Sequence, residues 1–392
     1  MSDVVILSAV RTPIGSLNGS LAHLTAPQLG AIAARAAIDR AGLRPEQIDE
    51  TIFGNVVSAG LGQAPARQVG LGAGVPDSAG ALTVNKVCGS GLMAAILAGN
   101  RIQAGEAQLV LAGGMESMGR APYLLDRARS GYKMGHGQLL DSMILDGLWD
   151  PYTQMPMGRC GELCVEKFHF SRESQDDYAL ESYRRALSAQ ADGRFAPELV
   201  PVQAPGKGGS ASAVTSDEEP TKSDLQKLRT LRPVFKTDGT LTAGNSPAVN
   251  DGAAALAIAS AQAADAYGVR PIARIIASAG AATAPEWFSV APIDAIRRLW
   301  KKTGWAPESV DLYEINEAFA AVTMAAIQEL KLDPERVNVH GGAVALGHPI
   351  GATGARILVT LIHAMHARDA QRGIAALCLG GGEALALAVE RD

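Results

Sequence analysis

CGSGLMAAIL at residues 88–97 and IGATGARILV at residues 350–359 align at an offset of 262, with Gly89 and Gly351 in register and an aliphatic run behind each. The same offset lays LRPEQIDETIFGN (43–55) on WAPESVDLYEINE (305–317), which share proline, glutamate, an aliphatic residue, aspartate and then an apolar run. LVLAGG (109–114) returns as ALCLGGG (376–382) once five residues are inserted. Three matches in one order indicate two copies of a single α/β unit. Each copy reads as a short aliphatic strand, a glycine-rich turn, a helix and a second strand. Leu92, Ala95, Ile96 and Gly99 fall at helical spacing with Gly105 as the stop, and Ile357, Leu361 and Met365 repeat the pattern. Two such units packed together predict a layered α/β architecture with helices over both sheet faces.

Between the copies the composition changes. Residues 119–249 hold a long loop-like stretch, a helix over 171–193 capped by Ser171 and closed by Gly193, and an irregular surface segment at 200–224. This divides the chain into a first half (1–118 plus 250–270), an inserted unit (119–249) and a second half (271–392). The 392 residues carry 35 basic and 40 acidic side chains, a net charge of −5, without a basic run, so nucleic acid is not an expected partner. Four scattered cysteines suit a reducing compartment and predict a cytoplasmic protein. MSDVVILSAVRTP reads as a first strand, not a signal peptide, and no apolar run is long enough to predict a membrane span.

Chemistry gathers at the glycine-rich turns. Cys88 follows a strand and opens a helix, where unpaired N–H groups and the helix dipole are expected to lower a thiol from its free value of about 8.5. Gly89 and Gly91 keep side chains away from the sulfur, as an acyl-accepting nucleophile requires, although a buried structural cysteine is the alternative. His348, in GHPIG, lies two residues before the counterpart of Cys88. Two copies facing across a pseudo-twofold axis would bring its imidazole toward that thiol, where a neutral ring can take the proton. His340, in VNVHGG, reads as structural. Cys378, before three glycines, is either core filling or an acid and base for a proton on carbon. Cys160 and Cys164 lack a second ligand pair and do not indicate a metal. Asn316 reads as a helix cap before EAFAAVTMAAIQEL.

Taken with SAVRTPIGSLNGSL, NKVCGSGL, AGGMESM, LRPVF, TAGNSPAVNDGAA, EINEAFA, NVHGGAVALGHPIGATGAR and LCLGGG, the chain resembles the thiolase family over essentially its whole length, close to the bacterial acetyl-CoA acetyltransferases. The resemblance implies a five-layered α/β/α/β/α fold of two similar halves with a loop domain inserted in the first. It implies that Cys88 carries an acyl thioester, that His348 activates it, and that Cys378 is the acid and base. Asn316 would position a water that, with His348, forms one oxyanion hole, and the N–H groups of Cys88 and Gly380 would form another. The reaction implied is reversible ping-pong condensation of two acetyl-CoA to acetoacetyl-CoA. Coenzyme A is substrate and product, with no metal or redox cofactor.

The same resemblance places Met157, Ser246, Phe288 and Phe319 on the acyl-CoA side. Pro247 stands where a small polar residue is common, leaving Ser246 or backbone to meet the pantetheine arm. Pro220 stands where an arginine often meets the coenzyme A phosphate, so Lys222 or Lys227 is expected to supply that charge. Phe288 replaces a common methionine in PEWFSVAP, which bears on acyl-chain length, with 3-ketoacyl-CoA thiolases of broader range as the alternative. YKMGHGQLLDSMILDGLW, with Lys133, Met134 and Gly135, resembles the family's tetramerisation loop and implies a homotetramer, a dimer of dimers.

Overall fold

The computed structural model describes residues 3–205 and 211–391. In chain order its main strands are β1 Val4–Arg11, β2 Glu50–Gly54, β3 Gly80–Val84, β4 Leu109–Ser117, β5 Asn250–Ser260, β6 Ala273–Ala282, β7 Leu312–Ile315, β8 Arg372–Leu379 and β9 Glu383–Glu390. The principal helices are α1 Ala26–Arg40, α2 Pro65–Gly72, α3 Ser90–Gln103, α4 Met157–Phe168, α5 Arg172–Ala191, α6 Ala291–Thr303, α7 Ala320–Leu330 and α8 Ile350–Ala367.

The strands run β7-β8-β9-β6-β1-β5-β4-β2-β3, two half-sheets that meet where β1 pairs antiparallel with β6 at Val4–Ile275, Val5–Arg274 and Ile6–Ala273. Outward from that seam the halves match: β1, β5, β4, β2 on one side and β6, β9, β8, β7 on the other. Side chains alternate across each sheet. Val110 and Leu256 face the centre while Leu109 and Ala255 face outward; Leu377 faces the centre while Ile374 and Ala376 face outward. Helices α1 and α2 cover the first outer face, α3 and α8 fill the middle, and α6 and α7 cover the second outer face. The five layers follow directly, and strands buried on both faces explain why LVLAG and GIAALCL are continuously apolar.

Register corrects one expectation. Glu50 faces Val110 across β2 and β4, and Leu312 faces Gly373 across β7 and β8, so the copies need a shift of one residue at this strand, not an insertion of five. Gly113 and Gly114 are not counterparts of the glycines at 380–382. They lie inside β4, where a Cβ on Gly113 would strike the Phe53 ring and one on Gly114 the start of α8. Matching by residue type paired glycines that have different physical tasks.

The central helices touch through a reciprocal pair of glycines. A Cβ on Gly91 of α3 would lie 2.6 Å from the Ala355 nitrogen, and one on Gly354 of α8 would press on the backbone of Leu92. Only glycine lets two helix starts approach this closely.

The insertion holds α5, capped as expected by Ser171 accepting from the Ser174 N–H at 3.0 Å, with Gly193 at φ +69° beyond its end. The segment read as irregular surface instead contains an antiparallel pair, Val202–Pro205 with Ala211–Val214; its intervening residues 206–210 lie outside the described residues. Val202 and Ala204 turn inward there, an alternation too short to announce a strand beside so many glycines and serines.

Candidate active site

A strained turn presents Cys88. After β3, Val87 adopts φ +47°, a left-handed conformation that is costly for a β-branched residue. Neighbouring bonds hold it: Val87 N–H donates to Asn85 Oδ1 at 3.0 Å, and Ser90 Oγ donates to the Val87 carbonyl at 2.6 Å while accepting from Lys86 N–H at 2.9 Å. Cys88 therefore precedes α3, whose N-cap is Gly89, and does not lie in its first turn. Burial pushes the thiol up to about 11, outweighing the backbone N–H groups of Gly380 and Cys88 that pull it down. The expected lowering at a helix start is thus overturned in the free protein, because dehydration of the sulfur dominates.

His348 reaches the same space from the other half. Gly347, at φ +101°, packs so tightly on the Asn250 amide that a Cβ would overlap it, and Asn250 Oδ1 accepts the His348 N–H at 3.0 Å. His348 Nδ1 lies 2.7 Å from Thr353 Oγ1, and that hydroxyl donates to the Pro349 carbonyl at 2.9 Å. With its one hydrogen committed, Thr353 accepts from Nδ1–H. Nε2 is then the bare nitrogen, and it is buried with no protein partner. Burial, followed by Arg356, lowers the imidazole to about 3, so its resting form is neutral.

Cys88, His348 and Gly380 line one cavity of about 310 Å³, together with Met157, Ser246, Pro247, Phe288 and Phe319. Asn316 and Cys378 do not line it and are fully enclosed beside it. Asn316 is not a helix cap: α7 starts at Ala320 behind Phe319, and both polar atoms of the Asn316 amide lack a protein partner. Cys378 ends β8 among Cys164, Phe288 and Phe319, and burial followed by the nearby Cys88 raises its thiol well above the ordinary range. Phe288 is 2% exposed and meets Phe319 at 6.5 Å and 67°, so its ring faces inward. Cys88 and a neutral imidazole with a free lone pair thus share one cavity, the second thiol, Cys378, packs behind its Phe288 and Phe319 wall, and the unpaired Asn316 amide is buried two residues before Ala318 of the lining. Such a set can make and break a thioester and move a proton from carbon.

Two family models divide the chain between them: Thiolase, N-terminal domain, over residues 4–262, and Thiolase, C-terminal domain, over residues 269–391. The chain belongs to the thiolase family. It is 48% identical over 392 residues to the acetyl-CoA acetyltransferase of Cupriavidus necator, with both chains fully covered. Among solved structures it resembles the Acat5 thiolase from Ascaris suum in complex with coenzyme A (TM-score 0.94, 45% identity, all of both chains). It also resembles the acetyl-CoA acetyltransferase of Bacillus anthracis (TM-score 0.97, 40% identity, 100% and 99% of the two chains).

In this thiolase the two lysines expected to meet phosphate lie outside the cavity lining. Lys222 donates to Ser16 Oγ at 2.7 Å with Glu218 at 3.6 Å, and Lys227, 76% exposed, pairs with Asp224 at 2.9 Å. Three supporting residues were not singled out from the sequence: Thr353, Asn250 and Glu116. Glu116 accepts from the N–H groups of Val56, Val57 and Gly351 and from Asn55, tying α8 to the first half, and burial raises it to about 7. Its signal was available, since an acidic residue inside the apolar run LVLAGGMES is costly without such partners. His340 is buried against Phe195, as a structural histidine should be. Among the described residues no group of three or more potential ligands is placed to hold a metal, and no helix is long and apolar enough to cross a membrane.

Proposed function

We propose that this thiolase is an acetyl-CoA acetyltransferase that condenses two acetyl-CoA to acetoacetyl-CoA and coenzyme A, with Cys88, His348, Cys378 and Asn316 as its chemical groups. The single observation that carries the reading is the unpartnered, unprotonated Nε2 of His348 in the cavity that Cys88 also lines. Both groups are neutral at rest, so the thiol proton passes to Nε2 as sulfur attacks the acyl carbonyl. Cys378 protonates the departing coenzyme A sulfur and is left as a thiolate. That thiolate takes an α-hydrogen from the second acetyl-CoA, the resulting carbanion attacks the thioester, and Cys88 leaves and recovers its proton from His348. Proton and charge then balance over the cycle.

Two carbonyl oxygens become negative in turn. The N–H groups of Cys88 and Gly380 act on the sulfur side, which agrees with their pull on the thiol. His348 with a water held by Asn316 acts on the other. Each such donor is typically worth about 3 to 4 kcal/mol. Ser246 and Met157 meet the pantetheine arm and Phe288 and Phe319 close the acyl end toward short chains, a reading supported by the presence of all four in the lining of the Cys88 cavity. Lys222 or Lys227, both solvent-accessible outside the cavity, supplies the positive charge for the coenzyme A phosphate. Acid quenching after incubation with acetyl-CoA, followed by mass mapping, should find one acetyl group, on Cys88; active protein without it would sink the assignment.

The proposed assembly is a homotetramer built through the inserted unit, residues 119–249. In support, the paired strands Tyr123–Leu125 and Leu139–Asp141 carry exposed Tyr123, Leu125 and Leu139, and Met134 nearby is 94% exposed. Replacing Met134 and Leu139 with aspartate should reduce the particle mass in solution; an unchanged mass would remove this surface as the contact.

A further inference from the structure

The side chain beside Asn316 is as saturated as Asn316 is free. Glu317 is fully buried, and its carboxylate accepts from Tyr178 Oη at 2.9 Å and Asn338 Nδ2 at 3.0 Å on one oxygen. The other oxygen accepts from Ser182 Oγ at 2.8 Å and the Val344 N–H at 3.0 Å. No basic side chain among the described residues comes within 4.0 Å of it, so four neutral donors stabilise the group. These donors come from two other stretches. Tyr178 and Ser182 lie one turn apart on α5 of the inserted unit, and Asn338 and Val344 belong to the glycine-rich segment that ends at His348.

The chain on the other side of Asn316 is equally fixed. Asn338 Oδ1 accepts the Ile315 N–H and Asn338 Nδ2 donates to the Ile315 carbonyl, both at 2.8 Å. Asn316 N–H donates to the Ala376 carbonyl at 2.9 Å, which ties it to β8, the strand that carries Cys378. Ser182 Oγ also accepts the Gly342 N–H at 3.0 Å, and a Cβ on Gly342 would press into the Glu317 carboxylate. Asn316 is thus pinned at both neighbours with its own amide left unpaired.

We propose that Glu317 is a positioning residue: it sets the Asn316 amide relative to His348 and makes that distance depend on how α5 is seated. The inference rests on the reading of Asn316 and His348 as reacting groups. Glutamine at 317 places an NH2 against a fixed donor in either orientation, since Val344 offers an N–H on one side and on the other Asn338 Nδ2 cannot turn round while Asn338 Oδ1 accepts the Ile315 N–H. A displacement of about 1 Å at a reacting centre costs on the order of 100-fold in rate.

The test is a double-mutant cycle on acetoacetyl-CoA cleavage, using the full-length assembled enzyme. Glu317→Gln should lower kcat on the order of 100-fold with KM changed less than about threefold. In an Asn316→Ala background the same substitution should lower kcat by no more than about twofold, because the group it positions is gone. Tyr178→Phe removes one donor without introducing a new one, and gives the same non-additive pattern at smaller amplitude if Glu317→Gln fails to fold. Losses that multiply in the double variants would show a general structural role and overturn the proposal. An Asn316→Ala enzyme with unimpaired kcat would instead overturn the reading of the site, and the inference with it.

Discussion

Thr353 dictates which nitrogen of His348 carries the proton. Its hydroxyl stands 2.7 Å from Nδ1 and gives its own hydrogen to the Pro349 carbonyl. Valine at 353 keeps the shape, removes the acceptor and lets the two tautomers exchange. A buried hydrogen bond contributes about 1 kcal/mol net, so Thr353→Val should lower kcat roughly five- to tenfold, while Thr353→Ser retains it. Equal kcat in both variants would remove the hydroxyl from this role.

The same histidine shapes acid stability. Its folded value near 3 lies below the value of about 6.5 expected of the unfolded chain. As pH falls from about 6.5 toward 3 the unfolded chain takes up a proton here that the folded chain refuses, so stability is lost over that window and intact above it. His348→Asn cannot titrate. Its melting temperature relative to wild type should therefore rise between pH 7 and pH 5, and a constant gap would show that burial does not hold the imidazole neutral.

Phe288 should set the length of the acyl chain. Its ring is buried edge-on to Phe319 at the cavity wall, the end proposed above for the acyl group. Wild type should prefer acetoacetyl-CoA, and Phe288→Met should raise kcat/KM for 3-ketohexanoyl-CoA relative to it by roughly tenfold, since a methylene in a fitted pocket is worth about 1 to 3 kcal/mol. A wild-type optimum at eight carbons or longer would contradict this, and an unchanged series in the variant would clear Phe288 of the cause.

Gly91→Ala tests the central contact. The added methyl meets the Ala355 backbone at 2.6 Å, and no side chain is available to move aside. Overpacking of this kind typically costs about 1 to 3 kcal/mol, so denaturant midpoints should fall and acetylation of Cys88 should slow as α3 and α8 separate. A variant with both unchanged would mean that the two helix starts are free to part.

Duplication was legible because it leaves paired patterns at a constant offset, and with it came the layers and the meeting of Cys88 with His348. Register was less legible: glycines 113–114 and 380–382 look alike in letters, yet one pair makes room inside a strand and the other forms a turn. The Cys88 thiol departs from its local signal for a related reason. A helix start is visible in sequence, but the burial that outweighs it comes from packing that joins near residues such as Val57 and Met118 with Ile350, far along the chain. Charges show a further limit, since nothing in a run of letters says that Lys222 lies beside Glu218 and Lys227 beside Asp224. Thr353 and Glu317 were hidden as ordinary polar residues in helical and turn segments until their partners were known.

The seam between β1 and β6 also orders events during synthesis. A ribosome that has extended the chain through β5 has made Cys88 but not His348, and the cavity stays incomplete until residue 380. Domains commonly fold as they emerge, so the first half can bury its own core long before the second arrives. Throughout that interval the nascent protein holds Cys88 without the imidazole proposed as its base, so under the proposed mechanism no acyl transfer starts before the second half has joined the first.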